Sequence, residues 1–238
     1  MLFHLLAPYA HDFILFNLFR YITFRTGCAM ATSLLICFIF GPAIIRWLKE
    51  RQGDGQPIRD DGPETHFKKK GTPTMGGLMI LVSVVASTLL WMDLSNLYTW
   101  AVLFVTVGFG LVGFFDDYRK LTNRSSNGVS GKIRLIIQVL ISMAAVLAVI
   151  NVPSSTAATD VAIPFVKDYM VPLGMMFVPF AIFIIVGAGN GVNLTDGLDG
   201  LATVPVIIAA LCFIIISYLA GNAVFANYLQ IHHVPGAG

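Results

Sequence analysis

Charge is what this chain has least of. Asp, Glu, Lys and Arg make up 12% of its 238 residues, against 56% hydrophobic residues. The mean hydropathy is +0.78, and a soluble domain holds only roughly 45–50% apolar residues. That balance excludes an ordinary soluble domain and a basic nucleic-acid-binding surface; no nucleic acid is expected as a partner. Cysteine is also scarce, with Cys28, Cys37 and Cys212 all inside apolar runs. Nine residues of helix separate the first two by about 13 Å, too far for a disulfide, and buried, reduced packing is expected for all three. His66, His232 and His233 lack zinc-ligand spacing, a GxxxxGK[ST] phosphate loop is absent, and no internal repeat stands out.

What the chain has instead is uncharged runs of membrane length. A span needs about 20 mostly apolar residues, and the runs are Thr26 to Ile45, Gly71 to Met92, Leu94 to Phe115, Leu135 to Val152, about Val171 to Asn190, and Gly200 to Asn222. The expected fold is therefore all-α, a polytopic integral membrane protein of about six transmembrane helices forming a single domain over 1–238. The N-terminal segment, 1–25, lacks a basic start and a small-residue cleavage site, which argues against a signal peptide. It reads as an interfacial helix, with a short membrane-entering hairpin as the alternative. The IPFVKDYMVPLG segment reads as a short surface helix on the outer side.

The charges sort by loop. Seven basic residues follow the first span (Arg46, Lys49, Arg51, Arg59, Lys68, Lys69, Lys70) and five follow the third (Arg119, Lys120, Arg124, Lys132, Arg134), while the other loops are almost bare. The positive-inside bias places the loops 46–70 and 116–134 in the cytoplasm and the N-terminus outside. Parity alone then puts the motif loop at 190–200 on the cytoplasmic side too. Asp116, Asp117, Asp196 and Asp199 thus fall at one membrane face, together with the basic HFKKKGTPTMGG segment.

Three stretches carry chemistry beyond anchoring. In FFDDYRK, Asp116 and Asp117 sit hard against Phe114 and Phe115 with Arg119 and Lys120 behind them. Adjacent carboxylates repel, and carboxylates near hydrocarbon are costly, so a divalent cation or a reacting proton between them is the functional reading, Mg²⁺ being the ion that hard oxygen ligands suit. Solvated charges at a helix end are the plain alternative. In GAGNGVNLTDGLDGLA, Asn190, Asn193, Asp196 and Asp199 recur every three residues among glycines. Such amides and carboxylates can hydrogen-bond a nucleobase or ribose, whereas a polar turn between two helices is the simpler account. In KKKGTPTMGG, ammonium groups and hydroxyls could meet phosphate oxygens, or the lysines could only anchor the next span. Lys132 and Arg134 are snorkelling anchors by default, with a phosphate role as the rival.

Together, RDDGPETHFKKKGTPTMGG, FFDDYRK and GNGVNLTDGLDGLA resemble the phospho-N-acetylmuramoyl-pentapeptide transferases of the polyprenyl-phosphate N-acetylhexosamine-1-phosphate transferase superfamily, from about Tyr21 onward. The resemblance implies transfer of phospho-N-acetylmuramoyl-pentapeptide from UDP-N-acetylmuramoyl-pentapeptide to undecaprenyl phosphate. The products are lipid I and UMP, and the setting is Mg²⁺-dependent peptidoglycan synthesis at the inner face of the bacterial cytoplasmic membrane, with its links to cell shape and division. Carried over by motif, the catalytic and metal-binding pair falls on Asp116 and Asp117. The substrate-binding residues fall on Lys69, Thr74, Lys132, Asn190, Asn193, Asp196 and Asp199. Partners are then the two substrates and the lipid bilayer, with homodimer formation left open. Members of the family continue into further helices with a third essential aspartate and a histidine-rich cytoplasmic loop, so the chain is expected to be their N-terminal part. His232 and His233 are not that histidine motif. A membrane transporter using the carboxylates as an ion site, or an inactive fragment, are the competing readings.

Overall fold

The structure is a computed structural model that describes residues 1–52, 73–124, 128–152, 159–163, 166, 169–196 and 200–238. The described residues are almost entirely helical: α1 (Leu2–Leu6), α2 (Ile22–Gln52), α3 (Gly77–Trp91), α4 (Leu97–Thr122), α5 (Gly131–Ile150), α6 (Phe177–Thr195), α7 (Thr203–Gly221) and α8 (Ala223–Leu229). Helices α2, α4, α5, α6 (with the preceding 3₁₀ turn) and α7 are five helices long and apolar enough to cross a membrane. The protein is an all-α polytopic membrane protein.

The sixth expected span, Gly71 to Met92, forms a shorter helix, α3, of 15 residues. Its start is delayed by Pro73 and by Met75, whose φ of 66° is left-handed; neither conformation continues a helix backwards. Elsewhere helices run past the charges that bounded the expected loops. Helix α2 continues to Gln52, α4 through Asp116 and Asp117 to Thr122, and α6 to Thr195. Charge marks where a bilayer ends, but backbone hydrogen bonding carries a helix on into water. The N-terminal segment is not one interfacial helix but α1 followed by 3₁₀ turns at Ala7–His11 and Ile14–Arg20. Of the IPFVKDYMVPLG segment, expected as a surface helix, Met170–Pro172 forms strand β2, paired antiparallel with β1 (Asp160–Ala162) with Val161 opposite Val171, while residues 164, 165, 167 and 168 lie outside the described residues. The β-branched residues Val161, Ile163, Val166 and Val171 favour extended backbone.

The chain forms two compact units. The first comprises Met1–Leu94 with Leu103–Gln138, the second Ser95–Val102 with Val139–Gly238. In the first unit α2 packs on α3 through small and polar side chains: Ser83 Oγ meets Ser33 Oγ at 3.3 Å and Cys37 Sγ at 3.2 Å, and Trp91 Nε1 donates to Thr32 Oγ1 at 2.9 Å. Gly110 lets α4 approach α3 so closely that a Cβ there would lie 2.8 Å from Leu81 Cδ2. Phe19 stacks on Trp91, fastening the N-terminal turns to the end of α3. In the second unit Asn222 caps α8 by accepting from the Val224 amide at 2.9 Å, and Asn96 donates to the Gly236 carbonyl at 2.6 Å.

The pattern is apolar outward and small or polar inward. Ser83 and Ser142 are fully buried, while Phe38, Phe183 and Phe213 are largely exposed. Lipid tails supply no hydrophobic drive between helices, so close packing of small residues and interhelical hydrogen bonds take over. The free cysteines follow this logic rather than the expected burial: Cys28 and Cys37 are half-buried and Cys212 is exposed.

Candidate active site

The carboxylate pair lies near the C-terminal end of α4, in the first unit, and its two members are held differently. Asp116 is buried at 6% exposure. Its Oδ2 lies 2.7 Å from Lys120 Nζ, one helical turn on, and 3.7 Å from Arg134 Nη1 on α5. Its Oδ1 accepts from the Val129 amide at 2.7 Å. Both oxygens are therefore engaged by charged or backbone donors.

Asp117 has looser company. Its Oδ1 lies 3.8 Å from the same Lys120 Nζ, and its side chain keeps 36% of its exposure. Lys120 thus stands between two carboxylates that would otherwise repel, close to one and loosely beside the other.

A local device shapes this arrangement. After α4 the chain turns back at Gly128, where an added Cβ would overlap the Asp116 carboxylate and crowd Lys120 Cε. Only a glycine lets the backbone come so near that the next amide, Val129, reaches the carboxylate. Elsewhere in the unit, Gln52 at the end of α2 binds the backbone of Thr74: the Thr74 amide donates to Gln52 Oε1 at 2.7 Å and Gln52 Nε2 donates to the Thr74 carbonyl at 3.1 Å.

Of the residues singled out from sequence, Asp116, Asp117, Thr74 and Lys132 lie in the first unit. Lys132 is exposed in the first turn of α5, while Arg134, read first as a membrane anchor, is directed at Asp116. Lys69 and Asp199 lie outside the described residues. Asn190, Asn193 and Asp196 belong to the second unit. Helix α6 is α-helical through Thr195, so the three fan out by about 60° per step rather than stacking on one line. Asn190 donates to the Val186 carbonyl at 2.8 Å. Asn193 and Asp196 are exposed, Asp196 forming the C-cap. Gln52, Met75, Gly128 and Val129 had no chemical signature of their own in the sequence; the glycine of NGVSGK was the one visible hint.

No group of three or more His, Cys, Asp or Glu side chains able to hold a metal occurs among the described residues. Mg²⁺ does not need one: it keeps several waters and takes one or two carboxylates plus substrate phosphates. A half-buried Asp117 with Asp116 beside it fits that habit, whereas an all-protein cage does not.

What the fold presents is a carboxylate pair, Asp116 buried and Asp117 half-buried, balanced by Lys120 and Arg134 near the end of an apolar helix of membrane length. Residues 99–234, more than half of the chain, match glycosyl transferase family 4, and the chain belongs to that family. Residues 69–81, from Lys69 through the Met75 turn into α3, match phospho-N-acetylmuramoyl-pentapeptide-transferase signature 1. The protein is a phospho-sugar transferase of that type.

Proposed function

We propose that the protein transfers phospho-N-acetylmuramoyl-pentapeptide from its UDP carrier to undecaprenyl phosphate, giving lipid I and UMP, at the cytoplasmic face of the bacterial inner membrane. The observation that carries this reading is the acidic pair set among fixed cations, with Lys120 Nζ 2.7 Å and Arg134 Nη1 3.7 Å from Asp116, in the same compact unit as the described part of the signature segment.

The reaction joins a lipid-anchored phosphate to a water-borne one, so it belongs where the polyprenyl tail can stay in hydrocarbon. An oxygen of the lipid phosphate attacks the sugar-bound phosphorus of the pyrophosphate, the bond to the uridine-side phosphate breaks, and UMP leaves with that bridging oxygen. Little covalent work falls to the protein; positioning and screening of negative charge dominate. Lys120 and Arg134, held by Asp116, supply fixed positive charge, and Lys132 and Lys69 add to it. Asp116 acts mainly by orienting these cations and, through them, the lipid phosphate. Asp117, with Asp116 beside it, would hold Mg²⁺, which when bound withdraws charge from phosphoryl oxygens. Asn190, Asn193, Asp196 and Asp199 bind the uridine and ribose.

An ion-coupled transporter would put its carboxylates near mid-span, whereas Asp116 and Asp117 lie in the last turns of α4. The test is UMP release from UDP-N-acetylmuramoyl-pentapeptide by the purified protein in lipid nanodiscs. Release should require both undecaprenyl phosphate and Mg²⁺. Release that ignores the lipid phosphate would contradict the transfer, and no release under any condition would remove the enzyme reading.

A further inference from the structure

An arginine beside a membrane span ordinarily lays its stem along apolar surface and puts its charged head in water. Arg25 does not. It stands in the first turn of α2, directly before the uncharged run that starts at Thr26, and only 8% of it is exposed. Arginine is almost never buried so far without a partner. Yet its Nε and Nη1, which between them carry three of the five guanidinium N–H groups, are enclosed and meet no hydrogen-bond acceptor among the described residues.

Its neighbours answer part of the charge and leave those N–H groups unmet. The guanidinium carbon lies over the Phe3 ring, 4.5 Å from its centroid. A π face attracts a cation, but it offers no oxygen lone pair to an N–H. Asp93, beyond the end of α3, is in an ion pair with His4 Nε2 at 3.0 Å and gives no hydrogen bond to Arg25 Nε or Nη1. Helix α2 has no acidic residue in its first turn, and the positive end of its dipole adds to the arginine's charge instead of offsetting it. Phe3, His4, Arg25 and Asp93 all lie in the first unit. The partner that suits this place is a compact anion with several acceptor oxygens.

Depth in the bilayer says where such an anion comes from. The run Thr26 to Ile45 has the length of a membrane span, so Arg25 at its edge stands at the level of the lipid headgroups. The segment leading into α2 turns apolar side chains outward: Ile14 is 82% exposed, and Leu15, Leu18 and Tyr21 are exposed too, as in chain that lies in the interface. The anion at hand there is a lipid phosphate, and a guanidinium matches phosphate oxygens better than any other side chain.

We propose that Arg25, backed by Phe3 at the start of α2, binds the phosphate of a membrane phospholipid and so ties the N-terminal segment to the bilayer surface. None of these residues belongs to the carboxylate pair, and the site stands whether or not the transfer reaction does.

The test is thermal unfolding of the full chain, stripped of lipid in detergent, with dioleoylphosphatidylglycerol, dioleoylglycerol or inorganic phosphate added. Dioleoylglycerol has the tails without the phosphate, and inorganic phosphate is the anion without the tails. Wild type should unfold about 4 °C or more higher with the phospholipid than with dioleoylglycerol. Inorganic phosphate should leave the midpoint within about 1 °C. Arg25→Gln should keep less than about a third of the phospholipid shift. Arg25→Lys keeps the charge but not the planar guanidinium; it should keep at most about half, and it carries the test should the glutamine variant not fold. A phospholipid that stabilises wild type no more than dioleoylglycerol does, or that stabilises the folded variants as much as wild type, overturns the site. Inorganic phosphate that reproduces the full shift in wild type overturns the lipid as its ligand.

Discussion

Gly128 and Asp116 lie so close that a single methyl group on the glycine would overlap the carboxylate. The atoms the methyl group would meet are the side chains of Asp116 and Lys120, so these are what must move. Gly128→Ala is therefore expected to push Asp116 off Lys120 and the Val129 amide. Turnover should fall by about tenfold or more, while thermal unfolding in detergent shifts by only a few degrees because the turn is at the surface. Normal turnover in Gly128→Ala would mean that Asp116 need not stay where it is.

Lys120 and Arg134 share Asp116 unequally, at 2.7 Å and 3.7 Å. Lys120 also bridges to Asp117 at 3.8 Å, so its removal leaves two neighbouring carboxylates facing each other across a partly dry site. A charge-assisted hydrogen bond is worth about 1.5–3 kcal/mol, and Lys120→Met should cost about 10- to 100-fold in turnover. Arg134→Gln, which removes the more distant partner, should cost less. Steady-state UMP release from the two variants settles the order; the reverse order would shift the central cation to Arg134.

The close approach of α3 and α4 at Leu81 and Gly110 predicts a stability effect separate from chemistry. Gly110→Ala places a methyl group against the Leu81 side chain, and such overpacking costs about 1–3 kcal/mol. The thermal midpoint in detergent should drop, and Leu81→Ala should restore part of it in the double variant. Independent, additive losses would show that the two positions do not share a contact.

Asn193 and Asp196 are exposed at the end of α6, whereas Asp116 is tied down by ion pairs with Lys120 and Arg134. If they bind the nucleotide, Asn193→Ala and Asp196→Asn should raise KM for the UDP-sugar by about tenfold and change kcat less. Titration of UDP binding by calorimetry gives the same answer without turnover. Unchanged affinity in both variants would return that stretch to a polar helix end.

How much of this was legible in the sequence depended on where the signal was local. The apolar runs found the membrane helices because hydrocarbon thickness imposes a length on composition. Asp116 and Asp117 stood out because a charged doublet against two phenylalanines has no cheap place in a membrane protein. The limits of α3 and α4 were hidden: hydropathy marks the end of hydrocarbon, whereas Met75 and Thr122 mark the end of helical backbone. The partners of Asp116 were hidden for another reason. Val129 contributes only a backbone amide and Gly128 contributes the lack of a side chain; the bond from Gln52 to Thr74, across twenty-two residues of chain, was hidden in the same way. None of these has a composition or spacing to read. Arg134 looked like a membrane anchor because a basic residue beside a span usually is one, and only its distance to Asp116 distinguishes the two uses. At the described end of IPFVKDYMVPLG, Met170–Pro172 is strand, where the β-branched Val171 spoke for extended backbone and the mixture of apolar and charged residues was given too much weight.

The central claim is that phosphoryl transfer runs at the α4 carboxylate pair, with Asp117 facing the reacting groups. The most direct measurement is single-turnover UMP release by Asp117→Asn in nanodiscs carrying undecaprenyl phosphate, alongside wild type with a matching thermal midpoint. The account predicts a loss of at least about 100-fold. Release within a fewfold of wild type from a folded Asp117→Asn protein would contradict it.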